Sequence, residues 1–419
     1  MKRIAYIVSR FPKITETFIL YEILELERLG MAVEVFALVR EREPVMHAEA
    51  RALVARAQYA GVSAEVLAAQ GYWLLRRPGA YIRSWARALA GNIRSPKFLL
   101  RALAVVPQAA WFARRMQEQR IEHVHAHWAT HPALAAYVVA ELTGIPFSFT
   151  AHAHDIYVER PMLAEKLARA SFAVTISEYN RRLLAELYGP LADKVTVIRC
   201  GVDPDVFRPR PERAPRDAPL LLCVASLQEY KGHAYLLEAC ARLKAAGQPF
   251  RCLLVGEGEL RAALTAQIER LGLAEEVELL GRQPRHRVSA LMAEADVMVL
   301  PSVTTGSGKR EGIPVALMEA LACELPVVAT AISGVPELVI HNQTGLLVPE
   351  RDAAALADAL LLLCRDAELG RRLGRAGREH VLRHYNLRRN AEALRALLQR
   401  DWASQPAAPS ETVTTRGAT

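Results

Sequence analysis

Short apolar runs alternate with longer amphipathic stretches along almost the whole chain, and the alternation stops and restarts once, at RPRPERAPRDAP (208–219). A strand that is followed by a helix and then another strand is joined by a crossover, so the strands lie parallel and the sheet carries helices on both faces. RIAYIVSRF reads as the first strand, TETFILYEILELERLG as a helix closed by Gly30, and MAVEVFALV as the next strand. Further strands are expected at His123–His127, Pro146–Thr150, Phe172–Ile176 and Val195–Ile198. The 208–219 segment is all proline, charge and alanine and extends neither helix nor strand, which makes it a linker. After it the pattern resumes with PLLLCVASL, HAYLLEACARLKAAG, FRCLLVGEG, VELLG, VMVLPS and PVVAT, a second sheet of the same class.

A length of 419 residues is too great for one ordinary core and fits this division. The expected order is an N-terminal Rossmann-like domain at 1–207, the linker, and a C-terminal domain at 220–380. A helix at 381–403 packs back toward the first domain, and a disordered tail occupies 404–419, rich in Ala, Ser, Thr and Pro. Two doubly wound α/β domains facing each other enclose a cleft at the carboxyl ends of their strands. The six cysteines are scattered singly, with no metal spacing, and read as reduced core thiols. The apolar stretch after the initial basic residues is too short for a signal peptide, and no long uncharged apolar run suggests a membrane span, so a cytoplasmic protein is expected. The net charge of +8 is concentrated: residues 71–115 hold nine Lys and Arg and no Asp or Glu, interleaved with Trp73, Trp85, Phe98, Trp111 and Phe112. Such helices suit an anionic membrane surface, or are solvated helices whose aromatics are simply core. No nucleic-acid motif accompanies the charge.

The segment EGIPVALMEALA (311–322) sets a loop carboxylate and a glycine before Pro314, suited to a first helical position, and a second carboxylate inside the helix. A helix start offers unpaired amides and the positive dipole end to a diphosphate. At about 1.5 Å rise per residue, Glu311 and Glu319 stand roughly 9 to 12 Å apart, enough to receive hydroxyls of two different rings. Two ordinary surface glutamates show the same spacing, so the pair alone decides nothing. VGEGELRAAL has two glycines after a strand but lacks the third of a dinucleotide fingerprint. His125, His127, His152 and His154 form two HxH pairs at the ends of expected strands. No carboxylate or Cys ligand accompanies them in sequence, and no metal is expected there.

ADVMVLPS before this segment and LPVVATAISGVPELVIHNQTGLLVPERDAAALADAL after it closely resemble the C-terminal domain of the family 4 retaining glycosyltransferases of the GT-B fold. The resemblance covers nearly the whole chain. It is similar to the bacterial exopolysaccharide and colanic-acid type at SRFPKITETFILYEI, VHAHWA, TAHAHDIY and EGIPVALMEA. It implies a hexosyltransferase that takes a UDP- or GDP-sugar donor and a sugar or lipid-linked oligosaccharide acceptor, on the inner face of the plasma membrane. Position by position it implies that Glu311 contacts the donor sugar and Glu319 the ribose, with the backbone of Gly312, Ile313 and Pro314 close to sugar and phosphates. Lys231, in VASLQEYKGHAYLLEA, would neutralise the leaving diphosphate. Gly256 and Gly258, and Gly345 and Leu346 in TGLLVP, would lie beside the donor, though TGLLVP equally fits a hairpin or strand-entry turn. His152 and Asp155 match a motif that is usually His-Gly-x-Asp, so His152 would sit beside the reacting sugar, donating a hydrogen bond to it or orienting the acceptor, with Asp155 and His127 on the acceptor side. Asp203 and Asp205, a DxD, would belong to the turn leading into the linker.

Two positions depart from the family pattern: Ser226 stands where Arg is usual, leaving Gln228 or Arg282 to assist, and Glu324 stands where Gly is usual. The expected chemistry needs no metal and no cofactor. Lys231 and the helix start stabilise the diphosphate, and the leaving phosphate helps deprotonate an acceptor attacking from the same face. The paired carboxylates about 5 Å apart that a double displacement requires are not evident. Rival readings are a nucleotide-sugar epimerase, which would turn over donor alone, and a non-catalytic partner, which would be expected to have lost Glu311, Glu319 or Lys231.

Overall fold

Runs such as LLLCV and VMVL are apolar at every position, and each forms a strand buried along nearly its whole length, as a parallel sheet covered on both faces requires. The computed structural model describes residues 2–13, 16–41, 46–61, 63–209 and 216–404. Of the linker, 210–215 lie outside the described residues, and of the tail, 405–419.

The first sheet contains β1 (Arg3–Phe11), β2 (Ala32–Arg40), β3 (Gln58–Tyr59), β4 (His123–His127), β5 (Phe147–Ala151), β6 (Phe172–Thr175) and β7 (Val195–Val197). Its order is β3-β2-β1-β4-β5-β6-β7, all parallel. The second contains β8 (Leu220–Val224), β9 (Arg251–Val255), β10 (Val277–Gly281), β11 (Val297–Leu300), β12 (Val327–Thr330) and β13 (Leu346–Val348), ordered β10-β9-β8-β11-β12-β13 and also parallel. In each sheet the order reverses beside the first strand, between β1 and β4 and between β8 and β11. Loops there diverge and open a crevice, which puts the carboxyl ends of these four strands at the cleft.

Between β3 and β4 lie three helices, Ala64–Arg76, Pro78–Asn92 and Pro96–Glu118. Trp73, Phe98, Trp111 and Phe112 are buried, so most aromatics of the basic segment are core. Several of its aliphatic residues are not: of ten large exposed apolar side chains among the described residues, six (Leu74, Leu75, Ile82, Ile93, Leu100 and Leu103) fall in this segment, with Leu75 at 87%. No helix among the described residues is long and apolar enough to cross a membrane.

The 381–403 segment is not one helix. It spans the end of Ala367–His384 and most of Leu387–Ser404, broken where Asn386 pairs with Val202. The second of these helices packs on Thr17–Arg28, burying Ala391, Leu394 and Leu398 with Ile4, Ile23 and Leu26. Asp203 Oδ1 accepts the Asp205 amide at 3.0 Å, a turn rather than a metal pair. Glu324 takes a φ of +57°, the left-handed conformation that glycine adopts without strain.

Candidate functional site

The cleft between the two sheets encloses about 2580 Å³ of space open to solvent. Its C-terminal wall is built by the loops after β8, β9 and β11. After β8, Ser226 leads to a short turn, Glu229–Lys231, which ends at Gly232 (φ +71°) and the helix His233–Ala245. That turn holds the Lys231 side chain against Glu311, with which it forms an ion pair. Burial pulls the Lys231 ammonium down, but the Glu311 carboxylate and Tyr230 outweigh it, and the group is held above its ordinary value. Gly256, after β9, has a φ of +149°, and a Cβ there would stand 1.9 Å from Ala225 O; only a glycine lets the two loops meet. Gly258, where a Cβ would lie 2.4 Å from Leu227 O, performs the same service one turn behind the cleft.

The helix Val315–Ala322 begins one residue later than its sequence suggests, with Pro314 as the residue before the first turn. No side chain caps it, and Val315 and Ala316 line the cleft, so the first amides are directed to whatever the cleft holds. Gly312 and Ile313 lie beside them. A Cβ on Gly312 would come within 3.0 Å of Ile176 and 3.3 Å of Ala153, both from the other domain. Glu319 lines the cleft one helical turn further in. Burial pushes its carboxyl up to about 7, against the pull of Arg285.

One cationic residue was not legible in the sequence. Lys309 Nζ sits 4.4 Å over the Tyr230 ring, the same ring that Lys231 Nζ approaches at 4.8 Å, and it donates to Gln228 Oε1 at 3.2 Å. Burial pulls the Lys309 ammonium down, Glu259 raises it and Lys231 lowers it further. Two ammonium groups on one aromatic ring, with Glu311 balancing one of them, favour a multiply charged anion. A lysine in a loop two residues before Glu311 carries no pattern that would have marked it. Arg282 and Gln228 also line the cleft.

On the N-terminal wall His152 lines the cleft while His127 lies behind it, fully buried, with Nδ1 of His127 3.2 Å from Nε2 of His152. Phe18 and Trp128 close on the His152 ring at 4.7 and 4.6 Å. Burial first, then the neighbouring His127, hold the His152 imidazole well below its ordinary value. Asp155 stands behind the wall, its carboxylate accepting the amides of Ala129 at 2.6 Å and His152 at 2.8 Å. It shapes the turn and does not face the cleft. His123, His125 and His127 project from one face of β4, as period-two alternation dictates. His125 uses both nitrogens on Ser148 (2.8 Å) and Thr150 (2.9 Å). His127 Nε2 lies 2.9 Å from Glu22 Oε1, a carboxylate brought in by the helix Thr17–Arg28 from 105 residues away. Ligand atoms of Glu22, His125 and His127 fall within 4.8 Å of one another, but all four imidazole nitrogens are engaged in hydrogen bonds, the pattern of a polar ladder.

Besides Gly258, His127 and Asp155, which stand behind the cleft wall, Gly345 and Leu346 are not brought to the cleft. Gly345 packs on Val327, whose Cγ2 would be 2.5 Å from an added Cβ, and Leu346 is a buried residue of β13 paired with Val328. TGLLVP is a strand entry, and its glycine serves close packing against the sheet.

The walls are locked together by polar contacts across the domains. Glu337 accepts the amides of Glu178 (3.0 Å) and Tyr179 (2.7 Å) at the start of the helix Glu178–Tyr188 and pairs with Arg199 at 3.1 Å. Arg310 donates to Tyr179 Oη at 3.0 Å.

Residues 15–206 match the family described as Glycosyltransferase Family 4, and residues 207–380 the family described as Glycosyl transferases group 1. The chain is 32% identical over 417 residues to a putative colanic acid biosynthesis glycosyltransferase, WcaL, of Escherichia coli, covering 95% of this chain and 99% of that one. It is 42% identical over 185 residues to the amylovoran biosynthesis glycosyltransferase AmsK of Erwinia amylovora, covering 44% and 45%. Among solved structures, a glycosyltransferase from Rickettsia africae superposes with a TM-score of 0.70 at 18% identity, covering 96% of this chain and all of that one. Anabaena HepE in complex with UDP-glucose superposes at 0.68 and 19%, again covering 96% of this chain and all of that one. With two parallel Rossmann-like sheets about one cleft and a relative matched end to end, the chain belongs to the family 4 glycosyltransferases of the GT-B fold, in the colanic-acid type.

Proposed function

We propose that the cleft transfers a hexose from a UDP- or GDP-sugar to a sugar acceptor, with retention of configuration, in the assembly of an exopolysaccharide or lipopolysaccharide. The observation that carries this reading is the pairing of Lys231 with Glu311 at the uncapped start of Val315–Ala322. A diphosphate placed there meets helix amides, Lys231 and, in place of the arginine that Ser226 lacks, Lys309. Its arrival frees Glu311 to take sugar hydroxyls, while Glu319 takes those of the ribose. These cations and amides stabilise the leaving group without a metal ion, and His152 faces the sugar from the opposite wall. With no second carboxylate placed for a double displacement among the described residues, the leaving phosphate assists deprotonation of the acceptor on the same face. Colanic acid and amylovoran are the products named for the two similar transferases, which supports the polysaccharide setting.

The acceptor is a lipid-linked oligosaccharide met at the inner face of the plasma membrane. The exposed leucines and isoleucines on the acid-free basic segment support this peripheral docking. The deciding experiment is a calorimetric screen of UDP, GDP and their sugars against the protein and its Glu319→Ala and Lys231→Ala variants, with and without EDTA. Binding that survives both substitutions, or that EDTA abolishes, would refute the assignment. A protein that never sediments with phosphatidylglycerol vesicles would refute the membrane part alone.

A further inference from the structure

His152 is the last member of a buried hydrogen-bond chain. Tyr6 Oη donates to Glu22 Oε1 at 2.8 Å, His127 Nε2 lies 2.9 Å from that same oxygen, and His127 Nδ1 lies 3.2 Å from His152 Nε2. The parts come from β1, the helix Thr17–Arg28, β4 and the turn after β5, so the fold assembles what no sequence neighbourhood does. Burial pushes the Glu22 carboxyl up, yet the adjacent His127 and the two hydrogen bonds bring it below its ordinary value. An ionised carboxylate can only accept, so His127 Nε2 must carry a proton. When His127 carries a single proton its lone pair lies on Nδ1, and the contact with His152 is then made only if His152 Nε2 holds the proton. His125 offers no alternative partner, because both its nitrogens are taken by Ser148 and Thr150. Phe18 and Trp128 pack against the His152 ring at 4.7 and 4.6 Å.

We propose that Glu22 is a positioning residue: acting through His127, it fixes the His152 proton on Nε2, so that His152 presents a bare Nδ1 to the cleft and accepts a hydrogen bond from a hydroxyl of the bound sugar. The inference rests on the reading of this cleft as the transfer site, and it adds a direction: His152 accepts from the sugar and does not donate to it. Loss of Glu22 leaves the imidazole in place but reverses the chain, because His127 without an acceptor moves its proton to Nδ1 and becomes the donor to His152.

The test uses the full chain carrying ¹⁵N-labelled histidine, with side-chain nitrogen spectra recorded in the absence of ligand. In the unsubstituted protein His152 Nε2 is expected to be protonated and Nδ1 bare. Glu22→Leu exchanges the two, and Glu22→Gln, whose carbonyl still accepts, keeps the original pattern; Glu22→Ala replaces the leucine variant if that one does not fold. In parallel, nucleoside diphosphate release from UDP-glucose or GDP-mannose is expected to fall roughly tenfold in kcat for Glu22→Leu, the loss of one oriented hydrogen bond, with KM little changed and Glu22→Gln near the parent. A His152 protonated on Nδ1 at the outset, or a spectrum indifferent to Glu22→Leu, overturns the proposal. Full activity of His152→Ala overturns instead the placement of the sugar beside His152, and the spectra tell the two failures apart.

Discussion

Replacing Glu319 by glutamine should strengthen the fold and weaken the ligand complex at the same time. Burial lifts the Glu319 carboxyl from its ordinary 4.5 to about 7 in the folded chain. At about 1.4 kcal/mol per tenfold change in proton affinity, that gap is worth about 3 kcal/mol. The folded state binds this proton more tightly than the unfolded state does. Its contribution to stability is therefore complete below about 4.5, declines as the pH rises toward 7, and is gone above it. Glutamine keeps the shape and never ionises. Urea unfolding of the two proteins in parallel from pH 5 to 8 should show the variant gaining on its parent by about 2.5 kcal/mol across the range, most of it before pH 7. In the bound state the sign reverses. A carboxylate that accepts ribose hydroxyls contributes about 1.5 to 3 kcal/mol, so the variant should bind nucleoside diphosphates roughly 10- to 100-fold more weakly at pH 8 by calorimetry. The parent's affinity should itself climb from pH 6 to 8 as the group ionises. A stability difference that does not vary with pH would refute the burial argument, and an unchanged affinity would remove Glu319 from the ribose.

Lys309→Ala should weaken binding of UDP or GDP about 5- to 20-fold and that of the uncharged nucleoside hardly at all, since only the diphosphate meets the ammonium; equal losses for both would place Lys309 elsewhere. Gly256→Ala should destabilise the fold by more than about 2 kcal/mol in a thermal melt, because the new methyl lands on Ala225 O in a conformation alanine resists. A variant as stable as its parent would show that the two loops can part. Glu337→Ala removes a carboxylate that caps a helix of the other domain and pairs with Arg199, and should loosen the closed arrangement by about 2 kcal/mol. Solution scattering of the unliganded variant should then give a larger radius of gyration, and an unchanged curve would mean that other contacts suffice.

The sheets were legible because a buried parallel strand is apolar throughout, and LLLCV or VMVL offers no other reading. The two-residue β3 was not, since a pair such as Gln58 and Tyr59 has no periodicity to detect. The C-terminal wall of the cleft follows from a contiguous stretch around Glu311–Glu319, where local spacing and three-dimensional spacing nearly coincide. The N-terminal wall does not: Glu22 and His127 meet only because two distant elements pack together, and in sequence nothing distinguishes Glu22 from the other glutamates of its helix. Gly345 and Leu346 show the converse, a glycine-containing turn suggestive of a ligand that serves the sheet instead. Whether aromatics in a basic helix are inside or outside also depends on packing, which hid Trp73 and Phe112 and left Leu75 exposed.

The helix Leu387–Ser404 completes a hydrophobic layer begun near residue 4. The first domain is therefore discontinuous in the chain, and a ribosome that has made only its first 207 residues has not yet supplied Ala391, Leu394 and Leu398. Until residues near 400 emerge, Ile23 and Leu26 have no cover on that side, so the nascent first half should depend on chaperones or linger partly unfolded. A fragment cut at the linker would inherit the same bare face and should be prone to self-association.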